Sequence, residues 1–146
     1  MNLIEVTNEH FDDLLRMRNR LYTDTDDVFH KEEMALITSS DIFTCFIAEN
    51  DAGQAIGFIE LSLRNIVDGV IGGPVGYIEG IYLDPEYRNK GVGQALISGA
   101  MDWFRNKGCQ QVATDTEIDN HSAQAYFEKL GFQRKWTIVQ YLKDIS

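Results

Sequence analysis

Two acids, one phenol and a basic glycine loop are the residues here that could do chemistry. Glu79 sits in the middle of Tyr77-Ile78-Glu79-Gly80-Ile81-Tyr82-Leu83, a stretch that is otherwise aromatic and aliphatic apart from Gly80. A carboxylate among apolar strand residues is rare unless it is paired or functional, and one beside a ligand loop is a candidate site. Asp115 ends a second strand-like stretch, Gln111-Val112-Ala113-Thr114-Asp115. It reads as well for a site carboxylate as for an acid that caps the following loop. Tyr126 fits as a proton donor, because a phenol with a pKa of about 10 stays protonated at neutral pH. It fits as well as a core aromatic beside Phe127 and Leu130. His10, His30 and His121 have neither triad nor metal spacing, and Cys45 and Cys109 have no ligand spacing, so no metal is expected.

The loop is Arg88-Asn89-Lys90-Gly91-Val92-Gly93. Ahead of it, Asp84-Pro85 stops the strand, since proline brings no N–H to a ladder. Behind it, Val92, Ala95, Leu96, Gly99, Ala100 and Trp103 recur at helical spacing. The first turn of a helix exposes unpaired N–H groups and a partial positive charge. Glycine lets a ligand approach the backbone closely, and Arg88 and Lys90 add charge. Together these suit a pyrophosphate. The spacing is neither that of a Walker loop nor the Gly-x-Gly-x-x-Gly of a dinucleotide fold.

The elements that must position these groups follow from the rest of the chain. Leu3–Val6 reads as a short strand. Thr7 can cap a helix whose inner stripe is Phe11, Leu14, Leu15, Arg18 and Leu21. A second helix runs over about 29–38, and two strands, 43–49 and 55–64, flank the turn Asn50-Asp51-Ala52-Gly53. After the helix at 92–106 come a strand over 111–115, a helix from Asn120 to Leu130 closed by Gly131, and a last strand from Trp136 to Lys143. The order β-α-α-β-β-β-α-β-α-β is a mixed α/β sheet covered by helices. A glycine loop after a central strand is where open α/β sheets bind ligands.

At 146 residues the chain is expected to form one domain over 1–146. No apolar run approaches the roughly 20 residues of a membrane span, and the N-terminus lacks a signal-peptide pattern, which places the protein in the cytoplasm. There the two cysteines are expected as free thiols. The net charge of −10 argues against nucleic acid and anionic membrane as partners. It suits a cationic small molecule beside an anionic one held at the basic loop.

Arg-x-x-Gly-x-Gly after a strand resembles the acyl-coenzyme-A loop of the GNAT N-acetyltransferase superfamily. Pro74-Val75 through Glu79-Gly80-Ile81, Pro85-Glu86-Tyr87-Arg88, Asp115, Asp119-Asn120 and Leu130-Gly131-Phe132 resemble one branch of it, the small bacterial aminoglycoside 6'-N-acetyltransferases. The resemblance implies a mostly antiparallel central sheet flanked by helices, acetyl-CoA as co-substrate, and a homodimer, which the apolar C-terminal strand also favours. It implies coenzyme contacts at Ile81, Tyr82, Leu83, Arg88, Asn89, Lys90, Gly91, Val92, Gly93, Gln94 and Asn120. Glu79 and Asp115 would lie against the substrate amine, with Asp115 a candidate base, and Tyr126 would stand near the sulfur. Tyr22, Asp68 and Trp136 are the implied acceptor-side residues. Trp136 stands where some members have an acid, the turn at 65–69 is one residue short, and Asn65-Ile66 lacks the expected aromatic. Two other functions fit the same residues. One is a GNAT enzyme acting on a polyamine, metabolite or protein amine; the other is a non-catalytic acyl-CoA-binding module.

Overall fold

The turn at Asn50–Gly53 builds the middle of the sheet. Gly53 adopts φ of 76° there, a conformation that glycine enters without a Cβ penalty. In the computed structural model, which describes residues 1–70 and 72–146, β1 (Asn2–Glu5), β2 (Phe43–Glu49), β3 (Ala55–Arg64), β4 (Val75–Leu83) and β5 (Val112–Thr114) pair in that order. The first three pairings are antiparallel and the last is parallel.

Strand alternation then sorts side chains onto two faces. On one, α1 (Phe11–Leu21) and α2 (Asp27–Ser39) press Leu14, Met17 and Met34 onto Cys45, Ile47, Phe58 and Tyr82. On the other, α3 (Val92–Asn106) lays Leu96, Ile97, Ala100 and Phe104 against Ile56, Ile59, Leu61 and Ile78. Each such side chain contributes about 1.5–3 kcal/mol by leaving water. α4 (His121–Lys129) follows β5, and Leu130 and Phe132 pack at the edge of the α3 core. Side chains start three of the helical segments: Thr7 caps a 3-10 turn leading into α1, Asp26 caps α2, and Asn120 caps α4. Among the described residues no helix is long and apolar enough to cross a membrane.

One irregularity shapes the site. Glu60 of β3 faces Gly80 of β4, but the next residue, Leu61, faces Ile78. Glu79 is therefore the extra residue of a β-bulge, and it shares a face with its neighbour Gly80. A Cβ at Gly80 would collide with the Tyr22 hydroxyl, so glycine there lets the end of α1 close on the bulge.

The expected last strand, Trp136 to Lys143, does not form. Residues 132–146 make no strand, and Ile138, Val139, Tyr141 and Leu142 are bare, Leu142 at 94%. The physical reason is pairing. A strand needs an edge to pair with and cover for its apolar faces, and β5, at one edge of the sheet, is three residues long. The pattern specifies an extended segment, and no strand among the described residues pairs with it.

Where β4 crosses α3, a Cβ at Gly76 would lie 2.6 Å from the Phe104 ring. Gly76→Ala should cost about 1–3 kcal/mol by overpacking. Denaturant unfolding will measure it, and Phe104→Leu in the same chain should recover part of the loss.

Candidate active site

The glycine loop takes the shape that its residue types allow. A 3-10 turn over Pro85–Tyr87 leaves the strand. Asn89 and Gly91 then turn with φ of 62° and 85°, and α3 begins with no side chain capping it among the described residues. Its first amides are left for an anion. Arg88 folds back so that its Nε donates to the Leu83 carbonyl at 3.1 Å. Arg88, Asn89, Lys90, Gly91 and Gln94 are exposed, while Val92 and Gly93 are buried. A Cβ on Gly93 would lie 2.6 Å from the Tyr126 hydroxyl. That hydroxyl is itself buried and has no hydrogen-bond partner among the described residues. Burial raises its pKa, so it remains a protonated donor. A buried donor without an acceptor is costly by about 1–3 kcal/mol, and this one faces the loop.

Beside the loop the sheet opens. β5 pairs with β4 only from Gly76 to Ile78, ending at Thr114, whose hydroxyl donates to the Ile78 carbonyl at 2.9 Å. From Glu79 to Leu83 the β5-facing edge of β4, which includes Ile81 and Tyr82, has no strand partner among the described residues. Asn120, which caps α4 by accepting from the Ala123 amide at 3.2 Å, begins the helix that carries Tyr126.

The acids lie on the α1/α2 face. Glu79 lies among apolar neighbours in the sequence, but the bulge turns it toward solvent, and it is exposed. Ser62 donates to its Oε1 at 2.5 Å, and Arg64 Nη2 lies 2.9 and 3.1 Å from its two oxygens. The Arg64 guanidinium also lies 3.4 Å over the centre of the Tyr77 ring. The Tyr77 hydroxyl donates to Asp115, and burial together with that carboxylate pushes its pKa up. Glu79 and Asp115 are thus joined through Arg64 and Tyr77.

The enclosed carboxylate is Glu60, one strand away and 3% exposed. Arg18, 2% exposed, donates to Glu60, to Glu33 and, at 3.1 Å, to His30 Nδ1. Tyr22 donates to the other Glu60 oxygen at 3.0 Å. The Tyr22 hydroxyl therefore points inward, against Gly80, rather than into an open mouth. Asp68 and Trp136 meet in a shallow depression that they line with Gly69, Thr137 and Ile138. No hydrogen bond or ion pair among the described residues ties this pair to Glu79 or Asp115.

Residues 9–132 match the Acetyltransferase (GNAT) family. The chain is a member of the GNAT acetyltransferase family. This GNAT chain is 33% identical over 144 residues to an aminoglycoside N(6')-acetyltransferase type 1 of Salmonella typhimurium, spanning 98% of this chain and 99% of the relative. It is 34% identical to a protein of the same name from Acinetobacter haemolyticus, end to end. Among solved structures it is similar to the apo 6'-N-acetyltransferase AAC(6')-IG of Acinetobacter haemolyticus, with TM-score 0.93, 33% identity and full coverage of both chains. It is also similar to AAC(6')-Iy in complex with the bisubstrate analog CoA-S-monomethyl-acetylneamine, with TM-score 0.92, 32% identity, and 99% and 98% coverage.

Sequence reasoning about this GNAT acetyltransferase missed Ser62, Arg64, Tyr77, Glu60 and His30. The signal was present for the strand residues: Glu60, Ser62 and Arg64 alternate along β3 and so share one face. His30 is fully buried, and burial beside Arg18 lowers its pKa from the ordinary 6.5. The folded chain then holds His30 neutral while the unfolded chain takes up a proton below pH 6.5, so its contribution is present above that pH and is lost as pH falls. The thermal midpoint should drop as pH is lowered below about 6.5. In His30→Gln that part of the acid decline should be smaller, as calorimetric scans at several pH values will show.

Proposed function

We propose that this enzyme transfers the acetyl group of acetyl-CoA to the 6'-amine of an aminoglycoside antibiotic, conferring resistance. The observation that carries this is likeness along the whole chain to a 6'-N-acetyltransferase held with an analog that joins CoA to an acetylated neamine. The residues present suit the coenzyme: an uncapped helix start behind a basic loop, a glycine whose Cβ would crowd Tyr126, and an unpartnered phenol. In this proposal the amides of residues 89–94, with Arg88 and Lys90, hold the pyrophosphate. The free edge of Ile81, Tyr82 and Leu83, with Asn120, holds the pantetheine arm.

Acetyl-CoA supplies the thioester carbon that the amine attacks directly in a ternary complex. The chain's own tasks are then three. Glu79 and Asp115 hold the acceptor's ammonium and remove its proton, directly or through water. Backbone N–H groups of Ile81–Leu83 polarise the thioester carbonyl. Tyr126 gives its proton to the departing sulfur. By likeness Asp68 and Trp136 border the acceptor, and Tyr22 acts from beneath it by holding Glu60 and the bulge. We further propose a single acetyltransferase domain over 1–146 that works in the cytoplasm as a homodimer. The exposed apolar residues from Trp136 to Ile145 support the dimer, since a second copy would cover them.

A second reading, acetylation of a polyamine, metabolite or protein amine, is favoured by one feature. Asn65-Ile66 offers no aromatic wall to an aminoglycoside ring, and Ile66 stands 87% exposed. A non-catalytic coenzyme-binding module would need neither the linked Glu79 and Asp115 nor a stranded phenol.

Glu79→Gln and Asp115→Asn should each lower turnover by about 100-fold or more, while calorimetric affinity for acetyl-CoA stays close to that of the parent. Full activity in both would remove the proton chemistry. Thiol release should appear with kanamycin and tobramycin; release with spermidine or a lysine peptide but with neither drug would overturn the substrate assignment.

A further inference from the structure

A cation already occupies Glu79. The Arg64 guanidinium binds both carboxylate oxygens, at 2.9 and 3.1 Å, and covers the Tyr77 ring at 3.4 Å. Ser62 takes a further acceptor position on Oε1 at 2.5 Å. A carboxylate has about four lone-pair sites, and these contacts use three of them. An ammonium brought to the same group meets a guanidinium of the same sign.

Arg18 and Arg64, which each pair with a strand carboxylate on this side of the sheet, differ in freedom. The Arg18 side chain is 2% exposed and fixed by Glu60, Glu33 and His30. The Arg64 side chain is 41% exposed, ends β3, and faces a carboxylate whose side chain is 30% exposed. Arg64 can withdraw into water, whereas Arg18 cannot without leaving Glu60 as a buried, unpaired charge. A planar guanidinium is also weakly hydrated and stacks well on an aromatic ring, so the docked state is favoured while the acceptor is absent.

We propose that Arg64 is a built-in competitor that sets the affinity an acceptor must reach: an acceptor's ammonium reaches Glu79 by displacing the Arg64 guanidinium from Glu79 and Tyr77. The proposal rests on the site being one that acetylates amines, and not on which amine. When the competent state is a fraction of the population, apparent affinity falls by that fraction. An acceptor with one ammonium group exchanges one cation for another and gains little. An acceptor with several adds further contacts, among them Asp115, which is linked to Arg64 through Tyr77, and so binds against the competitor where a monoamine does not.

The test is steady-state kinetics of Arg64→Met, which keeps an apolar stem on Tyr77 and removes the charge. The panel is tobramycin, spermidine and a monoamine, and the comparison is made on every amine that the parent enzyme acetylates. The acceptor KM should fall by about tenfold, and by a similar factor for each amine, since one competitor taxes every acceptor alike. Arg64→Lys keeps the charge but loses the planar stack, and should give a smaller fall; it serves also if the Met variant folds poorly. Calorimetry with acetyl-CoA checks that each variant retains its coenzyme site. An unchanged or raised acceptor KM in these variants, or a loss confined to kcat, would overturn the proposal, because Arg64 would then only hold Glu79 in place. Activity of the parent on spermidine but not tobramycin would instead overturn the aminoglycoside assignment, and Arg64 would be judged on spermidine.

Discussion

β4 and β5 separate after Ile78 and Thr114, and the rest of the structure depends on that separation. A backbone group kept from water without a partner costs about 1–3 kcal/mol, so a strand edge left open inside a fold has to be held open. What holds it here lies on the opposite face. Glu79 is the extra residue of the bulge, Gly80 leaves room for Tyr22, Tyr22 is tied to Glu60, and Glu60 is tied to Arg18. A buried pair of this kind adds little net stability, but removing one partner is expensive because the other is left charged and alone. It is well suited to fixing a shape.

The opening divides the chemistry by charge. On the α3 side are an uncapped helix start, two positive-φ turns and a buried phenol without an acceptor, which together suit an anion and a leaving group. On the α1/α2 side are two carboxylates joined through an arginine and a tyrosine, which suit an amine. The bulge sits between the two. A chain of net charge −10 with its basic loop confined to one helix end can hold ligands of opposite sign side by side.

Much of this was legible in the residues. The loop could be read because glycine, proline and the change from strand to helical spacing are local signals. The family was legible from Arg88, Gly91 and Gly93 with their flanking segments. Glu79 stood out as an acid among apolar residues, but its exposure did not, since a bulge is a property of two strands in register and not of one sequence. Arg64 and Ser62 were hidden for the same reason: their partner lies across a strand pair. The last strand does not form because an apolar run specifies an extended backbone and leaves the partner open. Tyr22 is placed at the acceptor by likeness, and its bond to Glu60 joins a helix to a strand and so leaves no local signal.

The central claim is that the open edge of β4 and the first turn of α3 form one coenzyme site. Amide hydrogen exchange on the full chain, with and without acetyl-CoA, tests it most directly. The account predicts slowed exchange concentrated at residues 79–83 and 91–95. Binding that protects other segments and leaves these two unchanged, or no protection at saturating acetyl-CoA, would contradict it.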